Sequence, residues 1–434
     1  MASGAMISTL VALGTMPIIS RIFDKDDFGV YAVFVSVTSL VGMFATAFYP
    51  TAFVIPKFKV DFLKLLKASI FGMLITTTVV CIAILLFKET FVRSFNLGNI
   101  QTYIWLLPIG IIFSESFKII QNWNVRNAKF NKNASSNVSM KLSERVMNIL
   151  TGTLYAPSPG SLIYSYLVSL SVGISFLYQK RMFTEFKAAL RIPLKQVFQV
   201  CREYIKYPFF VMPANLINKF TSDLPLYFLA LYFSTSITGG FSFALTLLNV
   251  PLKIIGTSIA SVFYQKAAEI YIDNPSSLSD FTIKLHLKML IIGSIVFGVI
   301  FAFGEVLFSF VFGNEWALAG KFASLLSIYY IYRVISSPLS KVFSITRNEQ
   351  YTLWINIILA VARTISIYFG VLTEDPLTAV LYFSVGNLIG YFITNLLVFY
   401  ILKANLVKIV LTDIAIILCS FAFFYYLNLW FIKI

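Results

Sequence analysis

The chain has 434 residues, of which 58% are hydrophobic and only 12% are charged, and its mean hydropathy is +0.83. Soluble domains carry about 25% charged residues, so this chain cannot cover a water-exposed surface of its size. The apolar content also excludes a disordered protein, and the composition indicates a polytopic membrane protein. The charges are unequal, with 34 Lys and Arg against 19 Asp and Glu, and the net charge is +15.

The residue counts argue against several kinds of chemical site. Cys81, Cys201 and Cys419 are far apart and form no C-x-x-C pair, so neither a disulfide framework nor a zinc site is indicated. His286 is the only histidine, which argues against a histidine-rich metal site or a Ser-His-Asp triad. The sequence shows no P-loop, dinucleotide-binding or G-x-S-x-G motif. We therefore expect a non-enzyme, with no catalytic residue, cofactor or metal.

Thirteen stretches approach the length of a membrane helix, which needs about 20 mostly apolar residues. In chain order the predicted spans are Gly4–Ile19, Gly29–Ile55, Ala68–Phe87, Tyr103–Ile120, Val138–Ala156, Ser161–Tyr178, Pro208–Phe233, Gly239–Tyr264, Met289–Phe312, Leu318–Val342, Tyr351–Leu372, Leu377–Leu402 and Ile409–Ile432. No basic region precedes the first stretch, so no cleavable signal is indicated. The chain opens almost inside that stretch, and we expect a short cytoplasmic leader to be missing from this start.

The basic residues lie in alternate joints between the predicted spans. Cytoplasmic joints carry an excess of Lys and Arg. The joints after spans two, four and six are basic, with Lys57, Lys59, Lys64, Lys67, Arg126, Lys129, Lys132, Lys180, Arg181, Lys187, Arg191, Lys195, Arg202 and Lys206. The alternate joints are neutral or acidic, with Asp24, Asp26, Asp27, Pro157–Gly160, Ser234–Thr238, Glu374 and Asp375. The pattern predicts a cytoplasmic N-terminus, and thirteen spans would place the C-terminus outside.

A long polar stretch near the midpoint of the chain divides it into two halves. We predict an N-terminal lobe at 1–180, a cytoplasmic amphipathic linker at 181–207, a C-terminal lobe at 208–403 and an extra C-terminal span at 404–434. Within the linker, Leu194–Ile205 is typical of an amphipathic helix on the membrane surface.

The two halves also resemble each other in sequence. Phe23–Gly29 corresponds to Phe233–Gly239, and Arg126-Asn127 corresponds to Arg347-Asn348 at the matching place of the second half. Each match is weak alone, but their common order favours a parallel repeat. Transporters built from such repeats bind substrate between the halves and rock them for alternating access.

Several ionisable residues lie inside the predicted spans, where each costs about 2.5–3.5 kcal/mol at the centre of a lone helix. They are Glu115, Lys118, Lys141, Glu144, Arg145, Lys219, Asp223, Lys253, Arg333 and Arg363. We expect them to face protein or a wet cavity, because helical spacing gathers polar residues on single faces. One such face carries Asn215, Lys219, Ser222 and Asp223, and another carries Tyr329, Arg333, Ser336 and Ser337.

Two interpretations of these charges stay open. Glu115–Lys118, Lys141–Glu144 and Lys219–Asp223 are spaced as structural ion pairs that would only fix helix packing. Lys253, Arg333 and Arg363 have no acidic residue within a turn, although Lys253 could extend to the membrane surface. Arginine stays charged and matches phosphate oxygens bidentately. The surplus of cations therefore favours a site for a phosphorylated anion.

Three segments resemble the bacterial polysaccharide-unit flippases, the Wzx-type O-antigen translocases. The opening, Ala2–Tyr31, is similar to the start of that family, Glu203–Asn218 to the start of its second lobe, and Gly239–Gly256 to the sequence that follows. The resemblance covers most of the first twelve spans. The family belongs to the multidrug/oligosaccharidyl-lipid/polysaccharide exporter superfamily, so the resemblance implies an all-α polytopic membrane protein with two pseudo-repeated six-helix lobes around a central cavity. The thirteenth span, an extra C-terminal helix, departs from the usual twelve or fourteen.

The resemblance implies a flippase for undecaprenyl-diphosphate-linked oligosaccharide units of O-antigen, lipopolysaccharide or similar surface polysaccharide, in the bacterial inner membrane. The expected partners are this lipid-linked oligosaccharide and the bilayer, with a polysaccharide polymerase and a chain-length regulator as candidate partner proteins and no nucleic acid. We expect Arg145, Lys219, Lys253, Arg333 and Arg363 to bind the substrate. Glu115, Glu144 and Asp223 would balance charge or couple transport to an ion gradient.

Two other functions stay open. A cation-coupled drug exporter of the same superfamily needs acidic residues to attract cationic drugs, whereas cations predominate within these spans. A membrane polysaccharide polymerase or acyltransferase would usually carry a large external loop with catalytic residues, whereas the predicted external joints are short.

Overall fold

The structure, a computed structural model, describes residues 2–94, 101–348 and 350–432. Over these residues the chain is helical and has no β-strand, which confirms the all-α fold class. The chain forms two compact units, Met1–Asp223 (unit 1) and Leu224–Ile434 (unit 2). The boundary between them lies within a helix, whereas the sequence suggests a division at the linker 181–207.

Unit 1 is built from long helices that follow one another in the predicted order. They are α1 (Ala2–Ile22), α2 (Lys25–Ala45), α3 (Lys59–Ser94), α4 (Leu107–Arg126), α5 (Phe130–Leu154), α6 (Pro159–Leu177), α7 (Lys180–Leu190), α8 (Leu194–Glu203) and the first part of α9 (Met212–Tyr232). Helix α5 packs against α1 and α6, and α2 packs against α4 and α6.

Unit 2 contains the remainder of α9 and eight further helices. They are α10 (Thr235–Pro251), α11 (Ser258–Asp273), α12 (Ser277–Phe312), α13 (Ala317–Leu339), α14 (Lys341–Ile345), α15 (Gln350–Val371), α16 (Pro376–Ile401) and α17 (Leu406–Ile432). Helix α13 lies against α10, α12 and α16, and α15 packs against α16. Each predicted span therefore overlaps a helix or a helix pair, and the boundaries differ in several places.

Within the described ranges, nine helical stretches are long and apolar enough to cross a membrane by themselves. Helix α1 adds the shorter apolar stretch Met6–Ile22, while α5, α9 and α13 are outside this set. Those three helices carry most of the ionisable residues predicted inside the spans. Polar helices of this kind are tolerated in membranes when their charges face protein or water. The chain is a multi-pass membrane protein.

Helix α2 ends ten residues earlier than the predicted second span. It stops at Ala45, Phe48 adopts a left-handed backbone with φ 60°, and Pro50 lies in a short 3₁₀ turn, Tyr49–Ala52. Proline cannot donate a backbone hydrogen bond and restricts the residue before it. The apolar pattern therefore continues to Ile55 while the helix does not.

The predicted eighth span is two helices joined by a π-helical segment. Helix α10 ends at Pro251, the π-helical segment covers Leu252–Thr257, and α11 continues to Asp273. Proline removes one backbone donor from the helical ladder, and π-helical turns are rare features that frequently occur at functional sites. Lys253 lies in this segment.

The external joints predicted from sequence supply helix N-caps at matching places of the two halves. Asp24 caps α2 and Ser234 caps α10, while Ser158 caps α6 and Asp375 caps α16. Such side chains satisfy backbone N–H groups that the first turn leaves without partners. Asp and Ser are also frequent in short loops, so the same side chain forms the turn and caps the helix that follows it.

The helices that end near the two Arg-Asn motifs close in the same way. Ala128 and Arg347 have φ values of 54° and 57°. The next residue in each corner donates its N–H five positions back, Lys129 to the Asn124 carbonyl at 2.8 Å and Asn348 to the Phe343 carbonyl at 2.7 Å. This is the Schellman arrangement that closes helix C-termini. The left-handed residue follows Arg126-Asn127 in the first corner but is Arg347 itself in the second, so the two Arg-Asn motifs differ in register by two residues.

The linker contains two helices that pack against α3, although the sequence predicts only the second. Lys67 of α3 is buried and donates to the carbonyls of Leu190 at 2.9 Å and Ile192 at 2.5 Å. These carbonyls follow the end of α7 and would otherwise lack hydrogen-bond donors. Lys67, which the sequence assigns to topology alone, therefore anchors the linker to α3 within unit 1.

Helix α17 packs along α12, which confirms the extra C-terminal helix. Phe421 stacks on Phe301 with ring centroids 4.5 Å apart. Ser420 donates to the Ser294 carbonyl at 2.9 Å, and Asn428 donates to the Ala302 carbonyl at 2.7 Å. Polar contacts between helices are a common means of association in membranes.

Candidate functional site

The three predicted ion pairs are all present within unit 1. Lys118 contacts Glu115 at 2.6 Å on α4, Lys141 contacts Glu144 at 2.6 Å on α5, and Lys219 contacts Asp223 at 2.5 Å on α9. In each pair the carboxylate is buried and the lysine is partly exposed. Each carboxylate therefore lies within the protein, while its lysine reaches toward a more open region.

Glu115 occupies a tightly packed position between α4 and α2. Its carboxylate also accepts a hydrogen bond from Thr46 at 3.3 Å. Gly42 of α2 leaves the room for this carboxylate, because a Cβ atom there would lie 3.0 Å from the Glu115 Cδ atom. Position 42 is therefore small because a buried acid needs the space.

A second cluster on α5 surrounds Glu144 and Arg145. Tyr31 of α2 donates to the Glu144 carboxylate at 3.2 Å. The Arg145 side chain is buried, its Nη1 atom lies 3.8 Å from the Met16 sulfur, and its Nε atom has no hydrogen-bond partner within the described chain. Such buried, unpartnered polar atoms are rare in native structures. Arg145 therefore has hydrogen-bonding capacity that its described neighbours leave unused.

The third pair connects α9 with α2. Asp223 is buried and accepts a hydrogen bond from Ser36 as well as from Lys219. A carboxylate with two such donors is well stabilised. Lys219 thus has a local counterion, which agrees with the structural interpretation of this pair.

Unit 2 brings Arg333 of α13 and Arg363 of α15 to one cluster of tyrosines. Arg333 donates to the Tyr330 hydroxyl at 2.9 Å, and its guanidinium lies 4.9 Å from the centre of that ring. Arg363 donates to the Tyr391 hydroxyl at 3.1 Å. Tyr391 in turn stacks on Tyr329 with centroids 6.1 Å apart. We call these five residues the arginine–tyrosine cluster.

The two arginines differ in exposure and in their neighbours. Arg363 is only 4% exposed, and its Nε atom also donates to Asn387 at 2.9 Å. Arg333 is half-buried, and no carboxylate of the described residues lies within 4 Å of its guanidinium. Cation–π contacts with tyrosine stabilise a guanidinium without neutralising it. The cluster therefore keeps a positive charge that can attract an anion.

Lys253 is exposed on its π-helical segment. That segment contacts α13 where Gly256 meets Ser337, one helical turn beyond Arg333. The structure thus places Lys253 and Arg333 on adjoining elements of unit 2.

A buried polar group in unit 2 was not predicted from sequence. His286 of α12 contacts Asp413 of α17 at 2.7 Å, and both side chains are nearly inaccessible to solvent. Tyr332 donates to the same carboxylate at 3.2 Å. His286 lies just before the predicted span Met289–Phe312, and Asp413 lies near the start of the predicted span Ile409–Ile432. The only signal in the sequence is that an ionisable residue occurs at the edge of each of these two apolar stretches.

Two solved structures of low sequence identity share the fold of this chain. The chain is similar to the lipid II flippase MurJ in an inward closed conformation, with a TM-score of 0.71 and 14% identity, covering 97% of this chain and 92% of that chain. It is also similar to an inward-facing multidrug resistance transporter of the MATE family, described as a member of the MOP superfamily. In that comparison the TM-score is 0.67 and the identity 14%, with coverages of 93% and 94%.

The sequence matches the family described as polysaccharide biosynthesis protein over residues 18–320, and the chain belongs to that family. The succinoglycan biosynthesis transport protein ExoT of Rhizobium meliloti (strain 1021) is 21% identical over 387 residues, covering 87% of this chain and 75% of that protein. The family match confirms the predicted link to polysaccharide biosynthesis, and the two solved structures confirm the predicted fold.

Proposed function

We propose that this protein is a flippase that moves undecaprenyl-diphosphate-linked oligosaccharide units from the cytoplasmic to the outer leaflet of a bacterial inner membrane by alternating access. The units would belong to O-antigen or a similar surface polysaccharide. Support comes from the family, from the transport role in the name of the succinoglycan relative and from the fold shared with a lipid II flippase. The N-terminus would be cytoplasmic.

The arginine–tyrosine cluster is the observation that carries the proposal. A diphosphate-linked sugar offers two kinds of contact, phosphate oxygens for arginine and sugar rings for aromatic faces. Arg333, half-buried and without a carboxylate within 4 Å among the described residues, supplies the first contact. Tyr391, which is half-buried and stacks on the buried Tyr329, places one aromatic ring beside it. Arg363, buried behind Tyr391, would hold that ring in place and add positive potential.

The other residues predicted to bind substrate or balance charge are proposed to have different roles. Lys253 is exposed beside α13 and is a second candidate ligand for phosphate. Arg145 is a third, because its buried Nε atom lacks a partner within the described residues. Lys219 has Asp223 as its counterion and would bind substrate only through its remaining donors. Glu115, Glu144 and Asp223 are proposed to balance charge, with ion coupling as their further role.

The experiment is complementation of a strain that lacks this gene. The Arg333→Ala/Arg363→Ala variant should reach the membrane at the wild-type level but restore less than about a tenth of the surface polysaccharide. The charge-assisted phosphate contact of Arg333, worth about 1.5–3 kcal/mol, is lost, together with the support that Arg363 gives to Tyr391. Arg202→Ala, an exposed arginine on α8, is the matched control and should restore display fully. Normal display by the double variant would overturn the site assignment.

Lipid analysis of the deletion strain separates this proposal from its rivals. A flippase predicts that complete lipid-linked repeat units accumulate on the cytoplasmic face. Unpolymerised units on the outer face would instead indicate a polymerase. Unchanged lipids together with increased sensitivity to cationic drugs would indicate a drug exporter. Partner proteins such as a polymerase and a chain-length regulator would act after the step proposed for this chain.

A further inference from the structure

A basic pocket lies within unit 1, and none of the residues proposed above to bind substrate lines it. It has a volume of about 410 Å³, within the range of about 300–1,000 Å³ typical of small-molecule sites. Its polar lining consists of Lys57, Lys59, Arg126, Asn127, Arg181 and Glu185. The turn before α3, the end of α4 and the start of α7 contribute these residues. Three joints that the sequence predicts on the same side of the membrane therefore meet at this pocket.

Glu185 organises one wall of the pocket. Its side chain is 4% exposed and contacts Lys59 at 3.0 Å and Arg181 at 3.0 Å, while Trp123 donates to it at 2.9 Å. Burial alone would raise the pKa of this carboxyl, but the hydrogen bonds from Lys59, Trp123 and Arg181 lower it below its ordinary value. The carboxylate is thus ionised and fixes the positions of two cationic side chains that are otherwise exposed.

Arg126 is held differently, by a carbonyl and an aromatic ring, and Glu185 acts on it only through longer-range electrostatics. One Nη atom donates to the Phe53 carbonyl, and the guanidinium lies 4.7 Å from the centre of the Phe62 ring. Neither contact involves a carboxylate, and most of the five N–H donors of the guanidinium have no partner in the described chain. A planar guanidinium fixed in this way is prepared for bidentate binding of a phosphoryl group.

The charge of the pocket points in the same direction. Four cations, Lys57, Lys59, Arg126 and Arg181, surround one carboxylate, Glu185. Topology requires only that basic residues occupy the cytoplasmic joints, and it does not require them to converge on a single concave site. Like charges brought together repel, and a bound anion would relieve that repulsion. A polyanion with several acceptor oxygens fits four cations better than a single carboxylate does.

We propose that this pocket binds a diphosphate. The ligand could be the headgroup of a lipid diphosphate or a soluble diphosphate, since both present the same oxygens. If the ligand is a lipid diphosphate, its interpretation as the transport substrate before it enters the transport site rests on the proposed function. Diphosphate binding by the pocket does not rest on that function. The pocket would then be an initial docking site in unit 1, separate from the arginine–tyrosine cluster in unit 2.

Binding of inorganic pyrophosphate to the purified full-length protein in detergent tests the proposal by titration calorimetry. Arg126→Gln and Lys57→Gln should each weaken binding at least about tenfold, as expected for a charge-assisted contact of about 1.4 kcal/mol or more. Because Arg126 also holds the Phe53 carbonyl, Lys57→Gln provides an independent test at an exposed residue. Arg202→Gln is the matched control and should bind as the wild type does. Unchanged binding in both pocket variants, or no binding to the wild type, would overturn the proposal.

Two further measurements distinguish a lipid diphosphate from a soluble one, and the pocket proposal from the proposed transport site. Geranylgeranyl diphosphate in the same micelles should bind more tightly than pyrophosphate if the ligand is a lipid, and equally if it is soluble. The Arg333→Ala/Arg363→Ala variant should retain the affinity of the pocket for pyrophosphate. Retained pyrophosphate binding alongside normal polysaccharide display by that double variant would refute the transport site alone. Failure of pyrophosphate binding with defective display would refute the pocket alone.

Discussion

The buried contact between His286 and Asp413 allows a quantitative prediction about the C-terminal helix. Asp413 is 2% exposed and accepts hydrogen bonds from both His286 and Tyr332. Removing one partner of a buried pair costs about 3–5 kcal/mol, because the remaining polar groups stay buried without compensation. For a unit of about 150–250 residues, 1 kcal/mol corresponds to about 2–4 °C in Tm. Asp413→Ala should therefore lower Tm by about 6–20 °C.

Thermal unfolding of the purified full-length protein, followed by tryptophan fluorescence in one detergent, measures this shift. Glu269→Gln is the control, because its pair with Lys266 is exposed and such pairs contribute less than about 1 kcal/mol. The double variant His286→Phe/Asp413→Leu should recover much of the loss, since apolar replacement of a buried pair is often neutral. An Asp413→Ala protein that unfolds within about 2 °C of the wild type would refute the reasoning, because a buried pair cannot be lost at so small a cost.

Three smaller perturbations test other parts of the fold. Gly386→Ala should destabilise the protein, because a Cβ atom there would lie 2.8 Å from the Ala362 carbonyl oxygen, whereas Gly14→Ala meets open space and should not lower Tm. Asp375→Ala should cost about 1 kcal/mol, typical of a lost N-cap, measured as a fall in Tm. The pKa of Glu185 is lowered in the folded protein, so its contribution to stability is complete above pH 4.5 and is lost as pH falls below that value. The fall in Tm between pH 5 and pH 4 should therefore be smaller in Glu185→Gln than in the wild type. An equal fall in both proteins would contradict this prediction.

Much of the fold follows from local sequence patterns. Apolar runs of membrane length identify the helices, and joints rich in Asp and Ser provide their caps. The pairs Glu115–Lys118 and Lys219–Asp223 could also be predicted, because residues three or four apart share a helix face. Each of these features depends on a short stretch of chain, so sequence spacing alone contains the necessary information.

Other features depend on residues that are distant in sequence. The early end of α2 results from one proline and a left-handed turn within an otherwise apolar run. The sequence assigns Lys67 to topology alone, whereas the structure places it beside the carbonyls at the end of α7. The contact between His286 and Asp413 joins positions 127 residues apart. No local pattern encodes such partners, so the sequence could suggest that each residue was unusual but could not identify its neighbour.

For the predicted substrate-binding residues too, part of the site follows from local sequence and part depends on residues distant in the chain. Sequence spacing indicates that Arg333 has no nearby acid on its own helix, and the structure adds that no described carboxylate from another helix compensates it within 4 Å. The convergence of Arg333 and Arg363 on stacked tyrosines required the packing of α13, α15 and α16. That convergence supports the proposed anion site.

The most direct test of the central claim is a flipping assay in reconstituted proteoliposomes. A fluorescent oligosaccharide linked to a polyprenyl diphosphate is placed in both leaflets, and its arrival at the outer leaflet is followed with an external quencher. The proposal predicts rapid, protein-dependent translocation that falls at least about tenfold in Arg333→Ala/Arg363→Ala, while Arg202→Ala retains the wild-type rate. Translocation at the rate of protein-free vesicles, or an equal rate in the double variant and the wild type, would contradict it.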